Sequence, residues 1–173
     1  MMNNSAGRLI SPGCRLLVTP GCDDLRVYLD VCCYCRPYDD KTGERVRLEA
    51  DAVLSILERC RKGDWILVGS VAIDEEISYI TDYEKRDEVV GSLAIIQDYV
   101  TLNSEVLTLA SAYESYGLHI FDAIHCAFAT VGNAIFLTTD DHIISTVMKN
   151  PHPGLIVLNP VKWLMEVNDE DYQ

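Results

Sequence analysis

Long hydrophobic runs are absent from this chain of 173 residues. None reaches the roughly 18 apolar residues that a membrane-spanning helix needs. The most apolar region, Leu118 to Leu137, is interrupted by Asp122, His125 and Asn133. The N-terminal segment also has no apolar run long enough for a secretory signal, so we expect a cytoplasmic protein. With 49% apolar residues, the chain has the composition and length of a single globular domain with a real core.

Basic residues are scarce. The sequence has 14 Lys and Arg against 27 Asp and Glu, which gives a net charge of −13. Nucleic-acid-binding proteins usually present a basic surface, so this balance counts against generic affinity for nucleic acid. It does not exclude a local basic patch, or acids that a metal ion neutralises. Most of the charge is explained as a solvated acidic surface that favours solubility.

Several common catalytic motifs are also missing. The sequence contains no Gly-x-Gly-x-x-Gly, no phosphate-binding P-loop, no nucleophile elbow and no Ser/His/Asp order typical of a triad. Phosphatases of the haloacid-dehalogenase type need an Asp-x-Asp pair after the first strand. Here Asp30 is followed by Val31 and Cys32, so the second carboxylate is absent.

Seven cysteines are present, an odd number, and without an export signal we expect reduced thiols. Cys32 and Cys35 form a Cys-x-x-Cys pair with Cys33 between them. No second Cys/His pair follows at the spacing of a zinc finger. Arg36-Pro37 comes next, so the pair does not clearly open a helix as redox motifs do. We interpret these residues as small, mostly buried thiols at the end of a core strand; their redox activity stays an open question.

The first 25 residues differ from the rest. They are rich in Asn, Ser, Gly and Pro and contain the turn-forming repeats Ser11-Pro-Gly-Cys and Thr19-Pro-Gly-Cys. We predict a flexible N-terminal extension over residues 1–25, one folded domain over residues 26–165, and an acidic tail over residues 166–173.

Within the domain, short apolar runs alternate with amphipathic segments of helical length. The predicted strands are Arg26–Val31, Trp65–Gly69, Ala134–Thr138 and Leu155–Leu158. The predicted helices cover about 44–61, 71–80, part of 83–100, 106–116, 122–131 and 141–149, with a final turn through Trp163. This alternation predicts an α/β fold whose mostly parallel central sheet is covered on both faces. The pattern does not fix the order of the strands.

Four acidic residues occupy comparable positions in these elements. Asp30 and Asp140 directly follow apolar, strand-like runs. Glu76 lies six residues past Ser70, which closes the second run, and Asp122 opens a helix-like segment. Active sites of parallel sheets form at the carboxyl ends of the strands, where these acids could converge.

Converging carboxylates repel one another, so at least one pKa would rise unless a divalent cation joined them. Mg²⁺ and Mn²⁺ prefer oxygen ligands, and such ions can activate water for attack on a phosphodiester. The four acids therefore suggest a metal-dependent phosphodiesterase.

Two of these acids have acidic neighbours that compete for the same role. Glu76 follows Asp74 and Glu75, and helical geometry lets only some of the three face inward. The spacing from the end of the second run favours Glu76. Asp140 competes with Asp141, which could be the N-cap of the next helix. The preceding Thr-x-Asp pattern favours Asp140, and Asp141 is then a structural or outer residue.

Other residues near the acids have structural explanations. Asp122 could cap its helix instead of, or besides, binding a metal. His125 lies three residues later on the same helical face, where it could orient a carboxylate or touch substrate. We favour a packed, hydrogen-bonded histidine. Arg36 could meet a phosphate or stay on the surface, and the Trp and Tyr residues show no stacking array, so we expect them in the core.

The four segments together resemble the successive motifs of PIN-domain proteins. The matching stretches are Tyr28-Leu-Asp-Val-Cys-Cys-Tyr-Cys-Arg-Pro, Ser70 to Glu76-Ile77, Phe121-Asp-Ala-Ile-His-Cys-Ala-Phe-Ala and Phe136-Leu-Thr-Thr-Asp140. Asp-Ala-x-His-x-Ala is the most specific of them, and the ordered set is more specific than any single motif. The resemblance runs from about Arg26 to Leu158. The first motif is similar to a prokaryotic subgroup, not to the common toxin form with Asp-Thr-Ser or Asp-Thr-Asn.

This resemblance implies a Rossmann-like, three-layer PIN-like fold and a Mg²⁺- or Mn²⁺-dependent endoribonuclease. Asp30, Glu76, Asp122 and Asp140 match the four acids that hold the metal and serve catalysis in that family. The family also implies frequent homodimers, and many members are toxins of toxin–antitoxin pairs that a small antitoxin protein inhibits. The sequence departs from the pattern at Val31-Cys32, where many relatives place a hydroxyl or an amide near the metal.

Two alternatives to an RNA-cleaving enzyme remain open from the sequence. One is a non-catalytic PIN-like module that binds RNA or a protein. The other is a phosphate-ester hydrolase acting on a small molecule, although the missing Asp-x-Asp counts against its commonest form. The acidic net charge is compatible with both.

Overall fold

A computed structural model of the protein describes residues 25–170, without the side chains of residues 169 and 170. The predicted extension therefore lies outside the described residues apart from Leu25, as does the end of the predicted tail.

Five parallel strands form the centre of the fold, in the order β3-β2-β1-β4-β5. They are β1 (Arg26–Leu29), β2 (Ile66–Ser70), β3 (Asp98–Val100), β4 (Ile135–Leu137) and β5 (Val157–Leu158). All four pairings are parallel, which confirms the predicted α/β class. In the middle of the sheet, Val27, Tyr28 and Leu29 are fully buried, as expected for a parallel sheet covered on both faces.

Eight α-helices occur in the described part of the chain and connect or flank these strands. They are α1 (Val31–Cys35), α2 (Glu44–Lys62), α3 (Val71–Ser78), α4 (Tyr83–Leu93), α5 (Ser104–Ser115), α6 (Ile120–Val131), α7 (Asp141–Lys149) and α8 (Pro160–Glu170). Two predicted helix boundaries are confirmed. Gly63 ends α2 in a left-handed conformation with φ of 85°, and the Asn103 side chain caps α5 by accepting a hydrogen bond from the Val106 amide.

The strand order reverses direction at β1. From β1 the chain proceeds outward to β2 and β3, then crosses back to β4 and β5 on the other side. Because parallel crossovers are almost always right-handed, this reversal places the helices that precede it and those that follow it on opposite faces of the sheet. Open α/β sheets bind their ligands in a crevice outside the carboxyl ends of the strands at such a reversal, which here lies between β1 and β4.

The helix predicted within residues 83–100 would have Ile96 and Val100 on its apolar side, which is wrong. The helix α4 ends at Leu93, and Asp98–Val100 forms the edge strand β3 beside β2. The edge strand forms here because Gln97 makes two hydrogen bonds to β2. Its backbone amide donates to the Leu67 carbonyl at 3.0 Å, and its side-chain oxygen accepts from the Leu67 amide at 2.7 Å. These bonds replace the helical hydrogen bonds that residues 97–100 would otherwise make.

Helix α1 was not predicted. It begins directly after Asp30, whose carbonyl oxygen accepts hydrogen bonds from the Cys33 and Tyr34 amides. Of the three cysteines on this helix, Cys33 is buried, while Cys32 and Cys35 are partly exposed. The expectation of mostly buried thiols at a strand end is therefore correct only for Cys33.

The C-terminal helix is longer than predicted. The expected single turn through Trp163 is the start of α8, which continues to Glu170 and so includes residues assigned to the acidic tail. Trp163 is fully buried and packs against Trp65 at 5.8 Å between ring centroids. No helix in residues 25–170 has the length and apolar character required to cross a membrane.

Gly132 gives a test of the close packing between α6 and the sheet. A Cβ atom added there would lie 3.0 Å from Val100 Cγ2, 3.1 Å from the Phe128 carbonyl oxygen and 3.2 Å from Val68 Cγ1. We expect Gly132→Ala to lower the free energy of unfolding by about 1–3 kcal/mol, as overpacking does. Urea denaturation would measure it.

Gly91 provides the matched control. It lies within α4, where an added Cβ would meet no atom within 4 Å. Gly91→Ala should raise the stability by roughly 0.5–1 kcal/mol, because glycine is unfavourable inside a helix. Equal effects of the two substitutions would contradict the proposed packing.

Candidate metal centre

Asp30 lies directly after β1, at the crevice where the strand order reverses. Its amide donates to the Leu137 carbonyl at 2.9 Å, which continues the pairing of β1 with β4 for one more residue. The chain then turns into α1, and the Asp30 side chain is only 6% exposed. A nearly buried carboxylate requires partners, because burying an unpaired charge is costly.

Two side chains supply hydrogen bonds to this carboxylate. The Thr138 hydroxyl donates to Asp30 Oδ2 at 2.6 Å, and the Cys32 thiol donates to the same oxygen at 3.1 Å. Thr138 Oγ1 also accepts a hydrogen bond from the Asp140 amide at 3.0 Å. One hydroxyl therefore positions Asp30 and Asp140 relative to each other. Both donors use Oδ2, so among the described residues no hydrogen bond reaches Oδ1.

Glu76 is positioned by a buried chain of hydrogen bonds. Its Oε2 lies 2.7 Å from His125 Nε2, and His125 Nδ1 lies 2.7 Å from the Tyr28 hydroxyl. The Tyr28 hydroxyl lies 2.6 Å from Ser70 Oγ. With a neutral imidazole protonated at Nε2, every group has a partner: Ser70 donates to Tyr28, Tyr28 to His125, and His125 to Glu76. His125 is thus packed and hydrogen-bonded, as expected, and it also orients a carboxylate.

One ligand atom each of Asp30, Glu76 and His125 lie within 4.8 Å of one another. This group has the size and composition of a metal site. Because His125 Nε2 already contacts Glu76, we interpret the two carboxylates as the ligands and the imidazole as their support. Proteins commonly orient metal-binding side chains through such outer hydrogen bonds. Oxygen ligands suit Mg²⁺ or Mn²⁺.

The three consecutive acids of α3 point to three different partners. Asp74 accepts from the Tyr99 hydroxyl at 2.5 Å, and Glu75 accepts from the Tyr79 hydroxyl at 2.5 Å. Only Glu76 lies beside Asp30 and His125. This placement follows from helical geometry, since Glu76 falls on the same face as the buried residues Ala72 and Ile73.

Asp122 is not the N-cap of its helix, so the structural explanation considered for it from the sequence is wrong. The N-cap of α6 is His119, and Asp122 is the third residue of the first turn. Its half-buried position raises the pKa of the Asp122 carboxyl, and the negative charges of Asp30 and Asp140 raise it further. Two of the other three acids therefore influence the Asp122 carboxyl through their charge.

Of the two neighbouring acids at the start of α7, it is Asp140 that caps the helix. Asp140 is the N-cap of α7, and its Oδ1 accepts from the His142 amide at 2.7 Å. Asp141 forms a two-point ion pair with Arg45 at 2.7 and 2.9 Å, which lowers the pKa of the Asp141 carboxyl. The expectation that Asp141 could cap the helix is wrong, because its carboxylate is directed to α2.

Glu49 is a structural acid that the sequence interpretation overlooked. It is 2% exposed, and its Oε1 accepts from Arg45 Nε at 2.9 Å and from Asn159 Nδ2 at 2.8 Å. Arg36 Nε lies 3.0 Å from the other oxygen, and Arg36 also donates to the Thr139 hydroxyl at 2.7 Å. Glu49 thereby fixes two arginines that hold the turn between β4 and α7. The sequence did indicate a buried acid, because Glu49 lies on the apolar face of α2 beside Val46 and Val53.

Comparison with known proteins supports the fold. No protein-family profile matches the sequence, and no curated protein matches it significantly. Among solved structures, FitAcB from Neisseria gonorrhoeae matches with a TM-score of 0.52 and 18% identity, over 78% of this chain and 97% of that chain. VapBC2 from Rickettsia felis, bound to a DNA fragment from their promoter, matches with a TM-score of 0.52 and 18% identity, over 78% of this chain and 98% of that chain.

These structures contain PIN domains. The protein described here therefore has a PIN-like α/β fold, as the resemblance of its four motifs implied. At 18% identity, the likeness concerns the path of the chain.

The raised pKa of Asp122 predicts how stability depends on pH. Because folding favours the protonated carboxyl, this contribution is complete below the ordinary pKa of about 3.9 and is lost as the pH rises through the raised value. Without metal, Asp122→Asn should therefore be more stable than the wild type at pH 7, and the difference should vanish at acidic pH. Urea denaturation in a chelator would measure both.

Asp141→Asn is the matched control of opposite sign. Its carboxyl pKa is lowered by Arg45, so this substitution should reduce the stability at pH 7. Added Mn²⁺ should stabilise the wild type more than Asp122→Asn. A loss of stability at pH 7 in metal-free Asp122→Asn would contradict the repulsion among the acids.

Proposed function

We propose that this protein is a divalent-metal-dependent endoribonuclease. The observation that carries the proposal is the nearly buried Asp30 carboxylate beside Glu76, with Asp122 subject to the charges of Asp30 and Asp140. Asp30 and Glu76 come from separate segments, and neither carboxylate caps a helix. A cation that binds between them would offset their mutual repulsion.

In this proposal, Asp30, Glu76, Asp122 and Asp140 hold Mg²⁺ or Mn²⁺. An ion bound there would polarise a phosphodiester and lower the pKa of a water molecule. The chain's own contribution is orientation: His125 holds Glu76, and Thr138 holds Asp30. The Cys32 thiol donates to Asp30 from a position where many PIN-domain relatives place a hydroxyl or an amide. A thiol is a weaker donor than either.

The openness of the acidic cluster favours a polymer over a small molecule as the substrate. Asp140 is exposed, and the Glu76 side chain is 37% exposed. A backbone phosphate of RNA can approach such a site from solvent without entering a closed pocket. The similarity to PIN domains supports RNA as the polymer.

Cleavage assays with paired variants would test this function. Asp30→Asn and Glu76→Gln should each reduce Mn²⁺-dependent cleavage of a mixed RNA pool by more than about 100-fold, since even outer-sphere partners of metal ligands cost 10–100-fold. Asp74→Asn is the control, because Asp74 lies two residues from Glu76 but contacts Tyr99. It should cleave like the wild type.

The outcomes separate this enzyme from its alternatives. Cleavage that is equal in Asp30→Asn and wild type would refute the site. A wild type that binds Mn²⁺ and RNA without cleaving it would support the non-catalytic module. Hydrolysis of small phosphate esters in place of RNA would support a phosphate-ester hydrolase that acts on a small molecule.

We further propose a small antitoxin-like protein partner and a homodimer. The neighbours in structure are toxin–antitoxin complexes and support the antitoxin-like partner. The homodimer rests on the resemblance of the four motifs to PIN-domain proteins. Expression of the wild type in a bacterial host should arrest growth, while Asp30→Asn should not. Co-expression with the product of an adjacent gene should restore growth, and light scattering should give twice the mass of the chain. Growth arrest by Asp30→Asn would contradict a toxic nuclease.

A further inference from the structure

Two exposed aromatic rings lie together near the candidate metal centre. Tyr79 is 61% exposed and Phe121 is 40% exposed. Their ring centroids are 6.4 Å apart and their planes meet at 82°, so the edge of one ring faces the other. The tyrosines were expected in the core, and the exposure of Tyr79 contradicts that expectation.

Both rings belong to the helices that carry the proposed metal ligands. Tyr79 directly follows α3 and lies three residues after Glu76, which is less than one helical turn. Phe121 lies in the first turn of α6, immediately before Asp122. The two helices are joined by the 2.7 Å contact between His125 and Glu76. The rings are therefore fixed to the same two helices as the acids.

The Tyr79 ring is held in place without being covered. Its hydroxyl donates to Glu75 Oε1 at 2.5 Å, which restrains the ring while more than half of the side chain faces solvent. Ile120, the neighbour of Phe121, is also 58% exposed. Three large apolar side chains thus lie in solvent beside a strongly acidic site, where solubility alone would favour polar residues.

We propose that Tyr79 and Phe121 form a platform on which an unpaired base of the RNA substrate stacks beside the cleaved phosphate. This inference rests on the proposed nuclease function and specifies its substrate as single-stranded RNA. Bases of single-stranded RNA stack on exposed aromatic side chains largely independently of sequence. The position of the rings on the two helices that carry Glu76 and Asp122 favours a base of the substrate over a protein partner.

Stacking would also let a strongly acidic protein bind RNA. With a net charge of −13, the chain gains little from electrostatic attraction to RNA. An aromatic contact is short-ranged and does not require basic residues. It would hold the strand at the site while the acids and their cation engage the backbone.

Steady-state cleavage of a single-stranded RNA by the full chain would test the platform. The double substitution Tyr79→Ala/Phe121→Ala should raise KM by about tenfold or more and leave kcat within about threefold, as expected for the loss of one stacked base. Tyr79→Phe and Phe121→Tyr keep the rings and should retain wild-type KM. Met165→Ala removes a side chain of similar exposure, 64%, from α8 and should change nothing.

Single abasic nucleotides placed along the same RNA make the test specific. At one position relative to the cleaved bond, an abasic site should raise KM of the wild type by the same factor as the double substitution. The double variant should be insensitive to that abasic site. Unchanged KM in a double variant with a normal unfolding midpoint would overturn the platform and leave the rings to a protein partner.

Failure of the platform and failure of the nuclease can be distinguished. A wild type that cleaves RNA, with KM unaffected by the double substitution, contradicts only the platform. If the wild type cleaves no RNA, the nuclease is refuted. The fluorescence quenching of an RNA that contains 2-aminopurine then tests the platform. Equal quenching by the wild type and the double variant would overturn it.

Discussion

The hydrogen bond from the Thr138 hydroxyl to the Asp30 carboxylate is the contact on which the candidate site depends. It joins the carboxyl ends of β1 and β4, the two strands on either side of the reversal in strand order. The same hydroxyl accepts from the Asp140 amide, so it sets the distance between two acids from remote segments. It also supplies a partner for a carboxylate whose burial would otherwise be costly. The hydrogen bond does not neutralise the negative charge of the Asp30 carboxylate, which a cation can do.

The position of Glu76 depends on the core in a different way. The chain Ser70–Tyr28–His125–Glu76 runs from β2 through the central strand to α6 and ends at α3. Buried polar groups that are all satisfied form rigid networks, because breaking any one bond leaves a partner unpaired in a medium of low dielectric. The orientation of Glu76 therefore comes from residues behind its carboxylate, within the core of the protein. His125 is the clearest case, since it is almost fully buried.

The sequence indicated the class of fold and the position of Asp30, because an acid directly after a buried strand has few structural explanations. It could not give the order of the strands, which depends on tertiary contacts. Periodicity also could not separate an edge strand from a helix at residues 98–100, where the two bonds from Gln97 to β2 decide. At Asp140 it could not distinguish the cap from its neighbour Asp141, because helix ends shift by one or two residues at no cost to the apolar pattern. At α6 it placed the cap at Asp122, three residues after the actual cap His119.

The acidity that counted against a nucleic-acid enzyme has a different meaning once the site is in view. Attraction over long distances requires an excess of basic residues, which this chain lacks. Arg36 and Arg45, the bases nearest the turn after β4, are already engaged by Glu49, Thr139 and Asp141. Binding of a polyanion would then depend on short-range contacts: cation coordination by the acids, and stacking on exposed rings. Such a protein would discriminate by the shape and accessibility of its substrate, because its net charge does not attract a polyanion.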